Sequence, residues 1–170
     1  ILEVIDSNEK AYNLYLKDGF RVTRRFDCFK AKNPSFEDMD ASSEIRITES
    51  LFKPELTRLL PQTEYCPSWQ NTTVSMERVK ETVRMVVAQT EDSMVGYGFV
   101  QPASGRISQI AVKDKYWSSN LPSLILQRLC EESKADDVAM VNVESGAANT
   151  ASLLEKHGFE RFMGQFEMEK

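Results

Sequence analysis

The sequence predicts an α/β fold, a mixed and largely antiparallel sheet flanked by helices. Three observations carry that expectation. An apolar hairpin meander fills the middle of the chain, MVVAQT and VGYGFVQ around the turn Glu91-Asp92-Ser93-Met94. A strand, a helix and a strand follow it, with the apolar period switching from 2 to 3.6 and back. The opening segment also repeats the closing one at a fixed offset.

That repeat sets the boundaries. LEVIDSNEKAYNLYLKDGF aligns without a gap on VNVESGAANTASLLEKHGF, pairing Val4 with Val143, Leu14 with Leu153, Lys17 with Lys156, Gly19 with Gly158 and Phe20 with Phe159. Each pair is 139 positions apart (143 − 4). Each copy reads as a short strand, an amphipathic helix ended by Gly, and another strand. Residues 1–32 are therefore read as the C-terminal remnant of a first domain, 33–44 as a polar linker, and 45–170 as a complete second copy. By the same offset the first copy would begin about 94 residues ahead of Ile1. The chain opens in a strand pattern without an initiator methionine, and its N-terminus is read as cut.

In the second copy, Ile45 and Ile47 alternate with polar residues as a first strand. Ser50 is the capping candidate for a helix from Phe52 to Leu60. Pro61 and Pro67 bracket a loop, and a second helix is expected over Val74 to Val83. After the hairpin, Ser104-Gly105 turns the chain into the strand RISQIAV. Asn120 can cap a helix from Leu121 to about Ser133, whose Leu121, Leu124, Ile125, Leu129 and Cys130 form one apolar stripe. VAMVNV is apolar enough to be buried on both faces. Thr150 to His157 is the last helix, stopped by Gly158 in a left-handed cap, and FERFMGQFEM is the closing strand.

Composition narrows the function. With 41% hydrophobic and 28% charged residues the chain can build a packed core. A net charge of -5 argues against an electrostatic grip on nucleic acid or anionic lipid. Cys28, Cys66 and Cys130 are widely spaced and His157 is the lone histidine, so reduced thiols and no zinc site are expected. No apolar run reaches the roughly 18 residues of a membrane span, and the compartment is read as the cytoplasm.

The stretch I-x-x-I-A-V-K-D-K-Y-W-S-S-N-L-P-S-L-I-L, together with the element order, resembles the GNAT superfamily of N-acetyltransferases, in tandem-domain form. The resemblance implies acetyl-CoA as cofactor and a small-molecule or peptide amine as acceptor. It places the coenzyme against Ile110 and Val112 of the strand, then Ser118, Ser119, Asn120, Leu121 and Ser123 where the loop opens the helix. The family's loop reads Gln/Arg-x-x-Gly-x-Gly/Ala, because glycines let backbone N–H groups approach a pyrophosphate at a helix N-terminus. Here Trp117, Asn120 and Pro122 stand at those positions. Proline has no N–H, and one lost hydrogen bond to a charged group costs about 1.5 to 3 kcal/mol.

The family's last helix carries Asn-x-x-Ala-x-x-x-Tyr-x-x-x-Gly-Phe, a coenzyme contact and a tyrosine that protonates the thiolate leaving group. The first copy keeps it as Asn8, Ala11, Tyr15, Gly19 and Phe20; the second has Ala147 and Leu154 opposite Asn8 and Tyr15. Asn149 can replace Asn8 only if the helix start slips by two residues. His157 is read as an exposed residue favourable to the helix dipole, Glu64 and Glu144 as candidate bases, and Tyr65, Trp69 and Tyr97 as lining the acceptor cleft or the core. The resemblance thus implies an N-acetyltransferase whose first copy is catalytic through Tyr15. The alternative is a non-catalytic scaffold or binding module, and a third reading leaves the second copy weak transferase activity. Two structural expectations follow: RISQIAV and VAMVNV run parallel and splay at their C-terminal ends, and the strand Phe20 to Ala31 pairs with the second copy's sheet or another chain's.

Overall fold

The structure, a computed structural model, describes residues 1–36, 44–53, 56 and 63–170. Its elements run β1 (Leu2–Ile5), α1 (Glu9–Lys17), β2 (Arg21–Lys32), β3 (Arg46–Leu51), α2 (Thr73–Arg78), β4 (Arg84–Gln89), β5 (Met94–Gln101), β6 (Arg106–Val112), α3 (Leu121–Glu131), β7 (Asp137–Glu144), α4 (Ala148–Lys156) and β8 (Glu160–Glu169). This is the expected mixed α and β architecture. No helix among the described residues is long and apolar enough to cross a membrane.

Three local expectations are corrected. Ser50 continues β3 and its hydroxyl donates to the carbonyl of Leu51, so it caps nothing; the helix expected from Phe52 to Leu60 lies largely outside the described residues. α2 ends at Arg78, and a 3₁₀ turn over Lys80–Thr82 replaces its last turn where the β-branched residues Val79, Thr82 and Val83 crowd a helix. β7 alternates up to its bulge, with Val138 and Met140 buried and Ala139 and Val141 only half-buried, so it is not buried on both faces there.

All eight strands form one sheet in the order β1-β8-β2-β7-β6-β5-β4-β3. Period-two alternation sends successive residues to opposite faces. Val86, Ala88, Ile110 and Val112 join α3 and α4 in the main core, while Met85, Val87, Tyr97, Phe99 and Ala111 join Met76 of α2 in a second one. α3 lies close on β5 because Gly96 and Gly98 lack side chains: a methyl at either would collide with Ile125 or Leu129. The left-handed glycines Gly19 and Gly158, at φ 89° and 82°, end α1 and α4 alike.

β2 lies between β7 and β8, antiparallel to both, as expected for a strand seeking a sheet. The repeat is visible in the register. Arg21 pairs with Glu169 and Lys30 with Glu160, each pair the image of the other under the 139-residue offset. Ile5 opposite Gln165 is likewise the image of Glu144 opposite Phe26. A pseudo-twofold axis therefore passes between β2 and β8.

The repeat also provides a matched pair. Leu14 is 62% exposed and Leu153 7% exposed, in equivalent places on α1 and α4. Leu153→Ala is expected to cost about 2 to 5 kcal/mol. Leu14→Ala should stay within about 0.5 kcal/mol in this chain. Urea midpoints at unchanged slope check both, and equal costs would contradict the assigned packing.

Candidate functional site

β6 and β7 run parallel but pair only where Arg106 and Ile107 meet Ala139 and Met140. Beyond that the strands splay, as expected, and backbone groups on both inner edges lose their ladder partners. At Asn142, φ of 63° puts a left-handed residue into β7, and two residues there oppose one of β2. Asparagine tolerates that conformation, and the bulge bends β7 away.

The segment from Glu64 to Asn71 occupies the wedge from one side. The Asn71 amide donates to the carbonyl of Val141 on β7 at 2.8 Å, and its own carbonyl accepts from the Gln109 side chain on β6. Gln109 in turn accepts from the Tyr97 hydroxyl at 2.7 Å, and burial pushes that phenol up. Arg106 donates to Gln70 and Asn71 at 3.2 and 2.9 Å. Asn142 and Gln70 both donate to Glu3 Oε2, at 2.7 and 2.8 Å. Glu3 Oε1, Arg106 Nε and Ser108 Oγ are buried without a hydrogen-bond partner among the described residues. Burial accordingly raises the Glu3 carboxyl, against the opposing pull of Asn142, Ser68 and Arg106. Tyr97 is thus core, Tyr65 packs against the main core with its phenol pushed up by burial, and Trp69 is about half exposed.

The β6–α3 loop brings most of the predicted coenzyme residues together. Ile110, Val112 and Leu121 are buried, and Ser118, Ser119 and Asn120 are exposed. Asn120 makes no side-chain cap; Ser119 takes that place, its hydroxyl accepting from Leu121 N at 3.2 Å. The N–H groups of Trp117 and Ser119 are spent on Asp114 and Tyr116. Ser123 faces inward to His157 Nε2 at 2.8 Å, and His157 Nδ1 meets the Ser35 carbonyl at 2.8 Å. His157 is therefore buried, stacked on Phe36, and not an exposed partner of the helix dipole.

Across the wedge, α4 starts at Ala148 with Ala147 as its cap position, so its start does not slip and Asn149 lies exposed inside the first turn. Alanine offers no cap. The carboxylate of Glu64 supplies it instead, accepting from Asn149 N, Thr150 N and Thr150 Oγ1 at 2.9, 2.8 and 2.8 Å. In α1, Asn8 does this work itself, its side chain accepting from Ala11 N at 3.1 Å. Asn8 and Tyr15 follow the end strand β1, four ladder steps from β6 in the strand order. Tyr15 is half-buried against Phe20, and Glu144 lies 3.8 Å from Arg24. A cavity of about 1000 Å³ opens elsewhere, past the end of β6, where Lys113, Lys115 and Arg46 mix with Glu44, Glu91 and Asp92; its charges favour no ligand sign.

Residues 62–170, more than half of the chain, match the acetyltransferase (GNAT) domain family. The chain belongs to that family. Among solved structures, this GNAT chain is similar to a Drosophila protein at 12% identity and TM-score 0.67, covering 93% of this chain and 55% of that one. A GCN5-related N-acetyltransferase from Kribbella flavida is similar at 11% identity and TM-score 0.66, with 98% and 66% covered. A tandem GNAT protein from the clavulanic acid biosynthesis pathway is similar at 13% identity and TM-score 0.50, with 98% and 62% covered. At these identities the likeness is one of fold, and the chain spans about half to two thirds of each relative's length. A search of curated proteins finds no sequence match.

The family's general chemistry is acetyl transfer from acetyl-CoA, and several donors that the resemblance places against that cofactor are taken up within this chain. Pro122 offers no N–H, Ser123 is bound to His157, and three donors at the start of α4 are bound to Glu64. Leu154, at the position equivalent to Tyr15, is fully buried. Glu64, Asn71 and Gln109 were not singled out as wedge residues by the sequence; the one signal for this network was the polar Asn142 inside an apolar strand.

Glu64→Gln is expected to weaken the cap by about 0.5 to 2 kcal/mol, read as faster amide exchange at Asn149 and Thr150. Unchanged exchange would remove its capping role. Glu3 predicts a pH dependence. Its folded value is raised, so its contribution is full below the unfolded value and is lost as pH climbs through the folded one. Stability should fall with rising pH across that window, and Glu3→Gln should flatten the fall. Superimposable pH profiles would refute this.

Proposed function

We propose that residues 45–170 are the acceptor-shaping, non-transferring copy in a cytoplasmic acetyl-CoA-dependent N-acetyltransferase acting on a small-molecule or peptide amine. The transfer belongs to the half that includes α1, with Tyr15 as its proton donor. One observation carries the reading: repeat-equivalent positions hold Tyr15, half-buried with a hydroxyl, and Leu154, fully buried without one. Tyr15 follows the end strand β1 while the β6–α3 loop follows the fifth strand in the order, so neither completes a site here.

The chain alone should give no heat with acetyl-CoA in calorimetry and no thiol release with amines. In the full-length polypeptide, Tyr15→Phe keeps the ring and deletes the hydroxyl; kcat should fall about 10²-fold with little change in KM. Leu154→Ala should act through stability only. Micromolar acetyl-CoA binding by this chain, or unchanged turnover in Tyr15→Phe, would move the chemistry to the second copy.

A further inference from the structure

Glu3 on β1 and Arg106 at the start of β6 stand on either side of a single primary amide, that of Gln70. Gln70 Nε2 donates to Glu3 Oε2 at 2.8 Å, and Gln70 Oε1 accepts from Arg106 Nη2 at 3.2 Å. The match is incomplete at both ends. Glu3 Oε2 takes two donors, from Gln70 and from Asn142 Nδ2 at 2.7 Å, while Oε1 is buried with no partner among the described residues. Arg106 Nη2 is used twice, by Gln70 and by Asn71 Oδ1 at 2.9 Å, while Nε is buried with no partner among the described residues. Buried groups left in this way cost free energy, and more when they are charged. Burial raises the Glu3 carboxyl and lowers the Arg106 guanidinium, each away from its charged form.

An amide cannot serve both bare atoms. It carries no charge, and its one oxygen rests on one guanidinium nitrogen. A carboxylate has two oxygens and spans Nε and Nη2 as a fork. An ammonium has three N–H bonds and serves Oε1 together with Oε2. The two ends therefore call for a cation and an anion, held little farther apart than the nitrogen and oxygen of one amide. Ammonium and carboxylate groups on a single carbon have that arrangement.

We infer that Glu3 and Arg106 form a binding site for the zwitterionic head of a free α-amino acid, its ammonium on Glu3 and its carboxylate on Arg106, and that Gln70 occupies this site as a tethered stand-in. The ligand enters by displacing the Gln70 side chain. Both charges are set by the sheet, Glu3 opposite Glu167 and Arg106 between Gln101 and Ala139. Gln70 is carried instead on the short 3₁₀ turn Trp69–Asn71, beside a Trp69 that is 48% exposed. The clamp takes one end from each copy, and it holds whether or not Tyr15 takes part in acetyl transfer.

Glycine is this head group alone, and titrating it into the 170-residue chain near neutral pH tests the site. Side-chain amide NMR should show saturable shifts at Gln70, Asn71 and Asn142. Methylammonium and acetate each serve one end only, and both should bind at least about tenfold more weakly than glycine. Gln70→Ala removes the stand-in and should tighten glycine binding about tenfold, read at Asn71 and Asn142. Arg106→Lys keeps a charge but loses the fork, and should weaken it about tenfold. Urea midpoints check that this variant folds; if it does not, Gln70→Ala decides alone. No saturable shift with glycine in either the parent chain or Gln70→Ala overturns the inference. So does acetate binding as tightly as glycine, which would mean an anion site only. Unchanged or weaker glycine binding in Gln70→Ala overturns it too, because Gln70 would then not be standing in for a ligand. Acetyl-CoA enters none of these measurements, so failure here leaves the role of Tyr15 standing, and an unchanged turnover in Tyr15→Phe leaves this site standing.

Discussion

The insertion of β2 between β7 and β8 is the constraint on which the rest of the structure depends. Without it β8 would pair only with β1, and β7 would present an open edge opposite the one it already loses to the splay from β6. The insertion also fixes charge inside the sheet. Arg24 of β2 grips Glu167 of β8 through two hydrogen bonds of 2.7 and 2.9 Å, and Glu167 is buried. The hydrogen bonds it donates to Glu167 raise the Arg24 guanidinium. Removing either partner would strand the other charge, a penalty of about 3 to 5 kcal/mol. The Arg24 guanidinium also donates to the Cys66 carbonyl, tying the wedge segment to the same strand.

From that frame the cleft follows. A splayed parallel pair exposes carbonyls and amides that must be satisfied, by a ligand or by the protein itself. Here the protein answers for its own: Asn71 and Gln109 in the wedge, Glu64 at the helix start. Each replaces a contact that a bound molecule could otherwise make. The same economy explains His157, whose two ring nitrogens join Ser123 of α3 to Ser35 in the segment after β2.

The sheet was legible because its cause is local. Alternation marked β3, apolar runs bounded by turns marked β4 to β7, and glycine marked the ends of α1 and α4. The splay was legible too, through the resemblance carried by the β6–α3 stretch. What escaped is long-range pairing. Nothing near Ala147 announces that its helix is capped from Glu64, nor does His157 signal that Ser35 and Ser123 will enclose it. Asn120 looked like a cap because asparagine is a good one, but Ser119 reaches the Leu121 amide first. Side-chain partners across the fold depend on which segments lie in the wedge, and that is decided by packing of the whole domain.

β2 has a consequence in time as well as in space. Arg21 pairs with Glu169, and Lys30 with Glu160, so β2 finds its β8 partner only after β3 to β7 and α4 have been made. Long-range antiparallel pairing of this kind is slow to form. The meander from β3 to β6 can condense first, but β2 must wait for β7 and β8. Its stretch of alternating apolar residues around Phe26, Cys28 and Phe29 is in that interval an open strand edge of the kind that invites pairing with other chains. The segment that later locks the sheet is thus the one the nascent chain has most need to shelter.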